Sequence, residues 1–273
     1  LNGLINFVPW TVDLAPYVKN HRDEALLDAK GKHSEKHICA TRLLGAAWDD
    51  FVDPAIAAWL TRHRPDHVIW DYESSALTGE LACYCDRCLA AFRQWAKLPA
   101  DAPLTADGIW KNHRQVWVDF MAQRSSEVAR RFSQSVKKHR PAAVFSMYSG
   151  YQCPETKEIY NVDWTLCAPH VDLVSCGYGR RVEEVAATRA AAGDTPCMFG
   201  SITHPYDFND DSAATVITAA EVLRRLCDAR GGALFYDFNN VDARTLHAYA
   251  KVSRIAAEAE EFFVGGVEDR TGV

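Results

Sequence analysis

The sequence predicts an α/β protein folded as a (β/α)8 TIM barrel, and three observations lead to this fold class. Short apolar runs alternate with helical segments of about ten residues or more, which is the pattern of parallel βαβ units. A chain of 273 residues with 48% hydrophobic content is long enough for one large core. An open doubly wound sheet would normally carry a glycine-rich phosphate turn after an early strand, and none is present here.

The strands follow from short apolar runs that end at turn residues. We predict six of them, at residues 3–9, 67–73, 142–148, 171–178, 196–203 and 233–238. A complete barrel has eight strands, so about two βα units would precede residue 1 and the barrel is expected to be incomplete at its N-terminus. We expect residues 1–263 to form this domain and residues 264–273 to lead toward a further C-terminal region.

The helices follow from apolar residues that recur at helical spacing. In the longest, residues 114–139, Phe120, Val128, Phe132 and Val136 follow one another in multiples of four. The others are predicted at residues 54–63, 89–95, 182–192, 213–230 and 243–263, with a loop and a short helix in 155–167. Residues 11–37 are polar and irregular in pattern, which predicts a long functional loop.

Charge and hydropathy exclude several classes of partner. The formal net charge is −6 and the basic residues are scattered, so neither nucleic acid nor an anionic membrane is expected as a partner. No apolar run reaches the roughly 18 residues that a membrane span needs. We therefore expect a soluble protein, with the cytoplasm favoured over secretion, and homo-oligomerisation stays open.

The cysteines predict a metal site. Residues 83–88 (Cys-Tyr-Cys-Asp-Arg-Cys) place three thiols within one short segment, and Cys39 precedes the helix that leads into the strand before that segment, residues 67–73. Four thiolates make the tetrahedral set of a structural zinc site, with no position open for chemistry. The remaining cysteines are expected to fill the core: Cys153, Cys167, Cys176, Cys197 and Cys227.

Two alternatives to the zinc site stay open. The C-x-C and C-x-x-C spacings also occur in redox-active and disulfide-bonded clusters. Either His33 or His37 would be able to replace Cys39 as the fourth ligand.

Two carboxylates, Asp71 and Glu73, stand at the end of the strand predicted at residues 67–73. Residues two apart on a strand share one face and lie roughly 6–7 Å apart. Carboxylates at the carboxyl end of a barrel strand usually serve catalysis. Burial beside Trp70 and Tyr72, together with the charge of Asp71, is expected to raise the pKa of Glu73. The alternative for Glu73 is a surface or salt-bridged side chain.

These motifs resemble the catalytic barrel of the glycoside hydrolase family 42 β-galactosidases, a clan A type of barrel. In that family, one cysteine and a later Cys-x-Cys-x-x-Cys bind zinc shortly after the acid/base glutamate at the end of the fourth strand. The matching residues here are the four cysteines Cys39, Cys83, Cys85 and Cys88, the glutamate Glu73, and the following Phe92-Arg93-Gln94-Trp95. The resemblance implies a hydrolase acting on O-glycosyl bonds, with a carbohydrate substrate and a structural zinc ion.

Two departures separate this chain from the family pattern. The family has an Asn-Glu pair where this chain has Asp71-Tyr72-Glu73. The family nucleophile is a glutamate on the seventh strand, whereas residues 197–204 carry no carboxylate. A β-galactosidase assignment therefore does not follow, and the seventh strand is divergent.

Glycoside hydrolysis normally needs a second carboxyl group besides the acid. Asp237 ends the last predicted strand, and Asp207 lies in the loop after the seventh. Asp71 is a third candidate, since it would orient Glu73 or stabilise an intermediate, as in hexosaminidase-like enzymes that use the acetamido group of the substrate. Each of the three would alternatively cap a helix.

Aromatic and polar side chains near the predicted strand ends suit sugar binding, because a ring covers an apolar sugar face while its polar tip bonds a hydroxyl. The predicted substrate-binding residues are Trp10, Tyr148, Tyr178, His204, Tyr236 and Asp207. Some of these rings would alternatively be ordinary core or rim aromatics. We therefore predict a glycoside hydrolase with Glu73 as general acid/base, and two rivals remain: a substrate-assisted enzyme using Asp71, and a degenerate barrel that binds glycans without cleaving them.

Overall fold

The structure is a computed structural model that describes residues 2–7, 11–177, 182–201, 232–235, 243–259 and 261. Its strands, in chain order, are Asn2–Ile5 (β1), Ala25–Leu27 (β2), His33–Ile38 (β3), His67–Asp71 (β4), Val144–Gly150 (β5), Leu173–Gly177 (β6), Cys197–Ser201 (β7) and Gly232–Phe235 (β8). Six of them form one parallel sheet in the order β1-β4-β5-β6-β7-β8, and β2 pairs with β3 in a separate antiparallel hairpin.

The helices are Ala15–Asn20 (α1), Ala40–Leu43 (α2), Asp53–His63 (α3), Asp86–Trp95 (α4), Ala106–Asn112 (α5), Arg114–His139 (α6), Pro154–Tyr160 (α7), Trp164–Cys167 (α8), Val182–Ala192 (α9) and Ala243–Glu258 (α10). Parallel strands need crossover connections, and helices supply most of these crossovers. All strand carboxyl ends in the parallel sheet consequently lie at one edge. The described strands and helices form a partial (β/α)8 barrel, as predicted.

The core between sheet and helices is built around Phe132 of α6. Its ring lies 5.0 Å from the ring of Trp48, 5.1 Å from Trp70 on β4 and 6.5 Å from Phe145 on β5, measured between centroids. All four side chains are almost completely buried. The apolar face of α6 predicted from its residue spacing is thus the face that covers β4 and β5.

Most predicted elements are confirmed. All six parallel strands exist, with ends displaced by a few residues; the strand predicted at 142–148 runs from Val144 to Gly150. The helices predicted at 114–139 and 182–192 have those bounds. The helix predicted at 89–95 begins at Asp86, inside the cysteine segment. The helix predicted at 213–230 and the segment 264–273 lie outside the described residues.

The prediction of an irregular loop at residues 11–37 is wrong. This segment contains α1, a 3₁₀ turn at Arg22–Glu24 and the β2–β3 hairpin. The turn of the hairpin places Gly31 at φ +76°, where glycine is favoured, and Asp28 Oδ1 accepts hydrogen bonds from the backbone of Lys30 and Lys32 at 2.9 and 2.8 Å. Half of the residues of β3 are solvent-exposed and only Ile38 is buried, so the strand lacks the alternation that identifies a half-buried strand.

Among the helices that the structure describes, none is long and apolar enough to cross a membrane.

Candidate functional site

Asp71 and Glu73 lie where β4 ends at the carboxyl edge of the sheet. The pairing with β5 continues one residue beyond β4, because the Tyr72 backbone N–H donates to the Tyr148 carbonyl at 3.0 Å. Extended backbone alternates its side chains, so Asp71 and Glu73 are expected to share the face opposite to Trp70 and Tyr72. Tyr72 is buried, Asp71 is partly buried and Glu73 is exposed. The common face of the two carboxylates stays a prediction, since Glu73 lies one residue beyond the last backbone pairing with β5.

Burial opposes the ionisation of both carboxyl groups, and the charge of Asp71 further opposes that of Glu73. Partial burial, followed by the charge of Asp71, raises the pKa of Glu73 to about 7 although its side chain keeps contact with solvent. Burial also raises the pKa of Asp71. A carboxyl group whose pKa lies near neutrality can both give and accept a proton there, which is the requirement for a general acid/base.

A buried network fixes the backbone on the other face of this strand end. The rings of Trp70 and Tyr72 lie 4.5 Å apart, and the Trp70 ring packs against α6, away from Glu73. The Tyr72 hydroxyl accepts a hydrogen bond from Asn161 Nδ2 at 3.2 Å, and the Asn161 carbonyl accepts one from Ser125 Oγ on α6 at 2.5 Å. The strand bearing Glu73 is thus tied to α6.

The loop after Glu73 is held at several points. Trp117 Nε1 on α6 donates to the Ala76 carbonyl at 2.8 Å, and the Ala76 N–H donates to the Glu158 carbonyl at 3.1 Å. A Cβ at Gly79 would lie 2.1 Å from Ser74 Oγ, so the chain there approaches too closely for any side chain. The loop consequently folds back over the residue that follows Glu73.

The four predicted metal ligands come together. The Sγ atoms of Cys39, Cys83, Cys85 and Cys88 all lie within 4.8 Å of one another. Cys39 Sγ is 3.4 Å from both Cys85 Sγ and Cys88 Sγ. Zinc–sulfur bonds of about 2.3 Å in a tetrahedron place the sulfur atoms about 3.8 Å apart, so this donor set fits a zinc ion after small adjustments.

The hairpin misread in the sequence is what brings the cysteines together. The Cys39 N–H donates to the Glu24 carbonyl at 2.7 Å, and the Tyr84 N–H donates to the Leu27 carbonyl at 2.8 Å. The Leu27 N–H donates in turn to Cys83 Sγ at 3.4 Å. Neither His33 nor His37 belongs to the group of candidate ligands, and all described cysteines are free thiols.

Three comparisons with known proteins bear on this site. No family model matches the chain, and no curated protein matches it. Among solved structures, a catalytic mutant of the family 42 β-galactosidase from G. stearothermophilus aligns with a TM-score of 0.60 at 14% identity, over 96% of this chain and 47% of that one. The β-galactosidase from Halorubrum lacusprofundi aligns with a TM-score of 0.60 at 13% identity, over 91% of this chain and 47% of that one. The β-galactosidase from the psychrophilic Marinomonas ef1 aligns with a TM-score of 0.57 at 12% identity, over 93% of this chain and 50% of that one.

The chain has the barrel fold of the glycoside hydrolase family 42 β-galactosidases. The resemblance stated from the cysteine spacing is confirmed at the level of the fold. The chain spans about half the length of these solved structures. Within the described strand β7, Cys197–Ser201, this chain carries no carboxylate.

The other predicted site residues are only partly described. Tyr148 pairs in register with Asp71 across β4 and β5, and it is 7% exposed. It therefore lies beside Asp71, with little surface left for a sugar. Six further predicted residues lie outside the described residues: Trp10, Tyr178, His204, Asp207, Tyr236 and Asp237.

Sequence reasoning missed two charged side chains at partly or fully buried positions. Burial raises the pKa of Glu80 to about 7, partly opposed by the charge of Lys36. Glu80 lies at the border of a cavity of about 530 Å³ between the hairpin and the loop after β4. Arg124 on α6 is 5% exposed. The signal for Arg124 was present, since it lies four residues after Phe120 and four before Val128 on the apolar face of the helix.

Proposed function

We propose that this chain forms the catalytic barrel of a glycoside hydrolase in which Glu73 is the general acid/base. The observation that supports it best is the position of Glu73 at the carboxyl end of a barrel strand with a pKa raised to about 7. A protonated carboxyl group at neutral pH is what protonation of a leaving group requires. The fold shared with β-galactosidases makes β-galactosides the first substrates to test.

In this mechanism the proton of Glu73 passes to the glycosidic oxygen as the bond between that oxygen and the anomeric carbon breaks. In a retaining enzyme, a second carboxylate bonds to the anomeric carbon, and the Glu73 carboxylate then takes a proton from the water that releases the sugar. In an inverting enzyme, the second carboxylate activates water directly. We propose Asp237 for this second role.

We further propose that Cys39, Cys83, Cys85 and Cys88 bind a structural zinc ion. Four sulfur donors would leave no open position, so the metal would fasten the loop after β4 to the β2–β3 hairpin. The residues around it would act by hydrogen bonding to the sulfur atoms, as Leu27 does to Cys83. Metal analysis of the purified chain should give one zinc per molecule.

A second candidate function follows from the composition of β7. The absence of a carboxylate in Cys197–Ser201 favours either a substrate-assisted reaction, with Asp71 orienting an acetamido group, or a barrel that binds glycans without cleaving them. Asp71 is partly buried beside Glu73 with a raised pKa, which suits a supporting role.

The test is a Glu73→Gln variant assayed with aryl β-galactosides and aryl N-acetyl-β-hexosaminides. General acid/base catalysis contributes roughly 10²- to 10⁴-fold, so turnover should fall by that factor while sugar binding, measured by calorimetry, is retained. Glu258→Gln, an exposed carboxyl group at the end of α10, serves as the matched control and should leave turnover unchanged. A parent chain that binds sugars and cleaves none of them would contradict the proposal and support the binding barrel.

A further inference from the structure

Arg124 is a buried charge at the centre of the long helix α6. Its guanidinium lies 4.3 Å from the centroid of the Phe120 ring, within cation–π distance. An arginine that is 5% exposed is costly unless charged or strongly polar groups satisfy it. Its partners therefore indicate why the helix keeps a cation on an apolar face.

Those partners belong to the cysteine cluster. Arg124 Nη1 donates to Cys88 Sγ at 3.3 Å, and Arg124 Nη2 donates to Thr41 Oγ1 at 3.1 Å. Thr41 Oγ1 is itself 3.2 Å from Cys88 Sγ. Because the Thr41 oxygen accepts from Arg124, its own proton is free to point at the sulfur. Cys88 Sγ then accepts two hydrogen bonds, which suits a thiolate far better than a neutral thiol.

The net charge of the proposed metal site explains why a buried arginine contacts Cys88. Four thiolates around Zn²⁺ carry a net charge of −2, and the cluster is largely buried, so nothing but the protein can compensate that charge efficiently. Hydrogen bonds and charges around metal ligands fix their orientation and stabilise the bound ion. Arg124 places a full positive charge in direct contact with one of the four sulfur atoms.

We propose that Arg124, with Thr41 as its bridge, is a positioning residue of the zinc site that compensates the thiolate charge and anchors Cys88 to α6. This inference rests on the zinc site of the proposed function. It also connects that site with the candidate acid, since α6 carries Ser125, the next residue, whose hydroxyl bonds the Asn161 carbonyl beneath Tyr72. One helix thereby holds both the metal loop and the strand that bears Glu73.

The experiment compares zinc release from the purified zinc-loaded chain and its variants into a chromogenic chelator. Arg124→Leu should release zinc about 10- to 100-fold faster, the range typical for loss of an outer partner of a metal ligand. Arg124→Lys keeps the charge but only one of the two contacts, so it should fall between. Arg131→Leu is the matched control: this residue lies two turns further along the same helix and contacts Leu44 and Asp49 instead, so its zinc release should equal that of the parent.

A second measurement separates a local effect from misfolding. Co²⁺ replaces Zn²⁺ in such sites and gives thiolate-to-cobalt absorption, whose intensity reports on the four sulfur ligands.

Thr41→Val is a near-isosteric change that removes only the bridging hydroxyl, and it should speed metal release several-fold with unchanged far-ultraviolet circular dichroism. This variant keeps the test valid if Arg124→Leu does not fold.

Two results would overturn the inference about Arg124, and only the second would also overturn the proposed zinc site. If the parent contains zinc and both Arg124→Leu and Thr41→Val release it at the parental rate, the role of Arg124 is refuted and the zinc site stands. If the parent, purified without chelators and exposed to zinc, binds none, the metal site and the inference built on it both fail. Neither result touches the proposed role of Glu73.

Discussion

Replacing Asp71 by asparagine tests whether its charge tunes the candidate acid. The change keeps the shape of the side chain and removes the negative charge that faces Glu73. The pKa of Glu73 rises from 4.5 to about 7, and burial contributes more to this rise than Asp71 does. Asp71 therefore accounts for less than half of the rise, or roughly one pH unit at most.

A Coulomb estimate gives the lower end of the range. Two unit charges roughly 6–7 Å apart interact by about 0.6 kcal/mol in water, which corresponds to about half a pH unit. Since the pair is only partly exposed, the true interaction is stronger than in bulk water. We expect the pKa of Glu73 in Asp71→Asn to fall by about 0.5–1 pH unit.

The pH dependence of kcat/KM measures this change. A general acid must be protonated, so activity falls as the pH rises through its pKa, and a lower pKa moves this basic limb to lower pH. Asp66→Asn is the control, because Asp66 is an exposed carboxylate that precedes β4 at the opposite end of the strand. An unmoved basic limb, or one displaced to higher pH, would refute the electrostatic coupling. A loss of more than about 100-fold at every pH would instead make Asp71 a reacting group.

Four further predictions concern stability. The folded chain holds the Glu73 proton more tightly than the unfolded chain, so folding stability is lost as the pH rises from 4.5 to about 7. Glu73→Gln should therefore raise the Tm at pH 8 and leave the Tm unchanged below pH 4.5. The same comparison should hold for Glu80→Gln, whose pKa is raised by burial over the same interval. Cys85→Ser should abolish stoichiometric zinc binding and lower the Tm measured by calorimetry, because the free energy of metal binding contributes to folding stability. Tyr72→Phe leaves the buried Asn161 amide without its hydroxyl partner, which should cost about 1–3 kcal/mol and at least 2 °C in Tm; an unchanged Tm would mean that water replaces the hydroxyl.

The periodicity of apolar residues was enough to predict the barrel, because its helices and strands are long or strongly patterned. The helix at 114–139 was predicted with its observed bounds, since five turns of apolar spacing end at a proline turn. The hairpin was missed for the opposite reason. Its strand His33–Ile38 is half exposed with one buried residue, so neither face imposes an alternation, and its position depends on contacts with residues far along the chain.

In the candidate site, too, some residues were predictable from the sequence and others were not. Cysteine spacing predicted the cluster of four sulfur atoms, because three of them lie in one short segment and a tetrahedral site needs a fourth. The second carboxyl group was not predictable, since Asp71, Asp207 and Asp237 all follow strands and only distances across the barrel mouth distinguish them. Arg124 was not predicted, although its charge lies within the apolar stripe of the helix, and nothing in the sequence identified Cys88 as its partner.

The arrangement around α6 explains how the fold would tolerate a destabilising acid. A carboxyl group with a pKa near 7 weakens the folded state at neutral pH, because the unfolded chain ionises it at lower pH. The destabilised segment is the end of β4, and its backbone is restrained at two points. The hydrogen-bond network from Ser125 through Asn161 to Tyr72 holds the strand, and the contact of Trp117 with Ala76 holds the loop that follows. Since α6 supplies Ser125 and Trp117 and also contacts Cys88 through Arg124, a zinc ion there would stabilise the same helix. Removal of the proposed zinc ion should therefore loosen the strand end that carries Glu73, although four sulfur ligands would leave that ion no open position for chemistry.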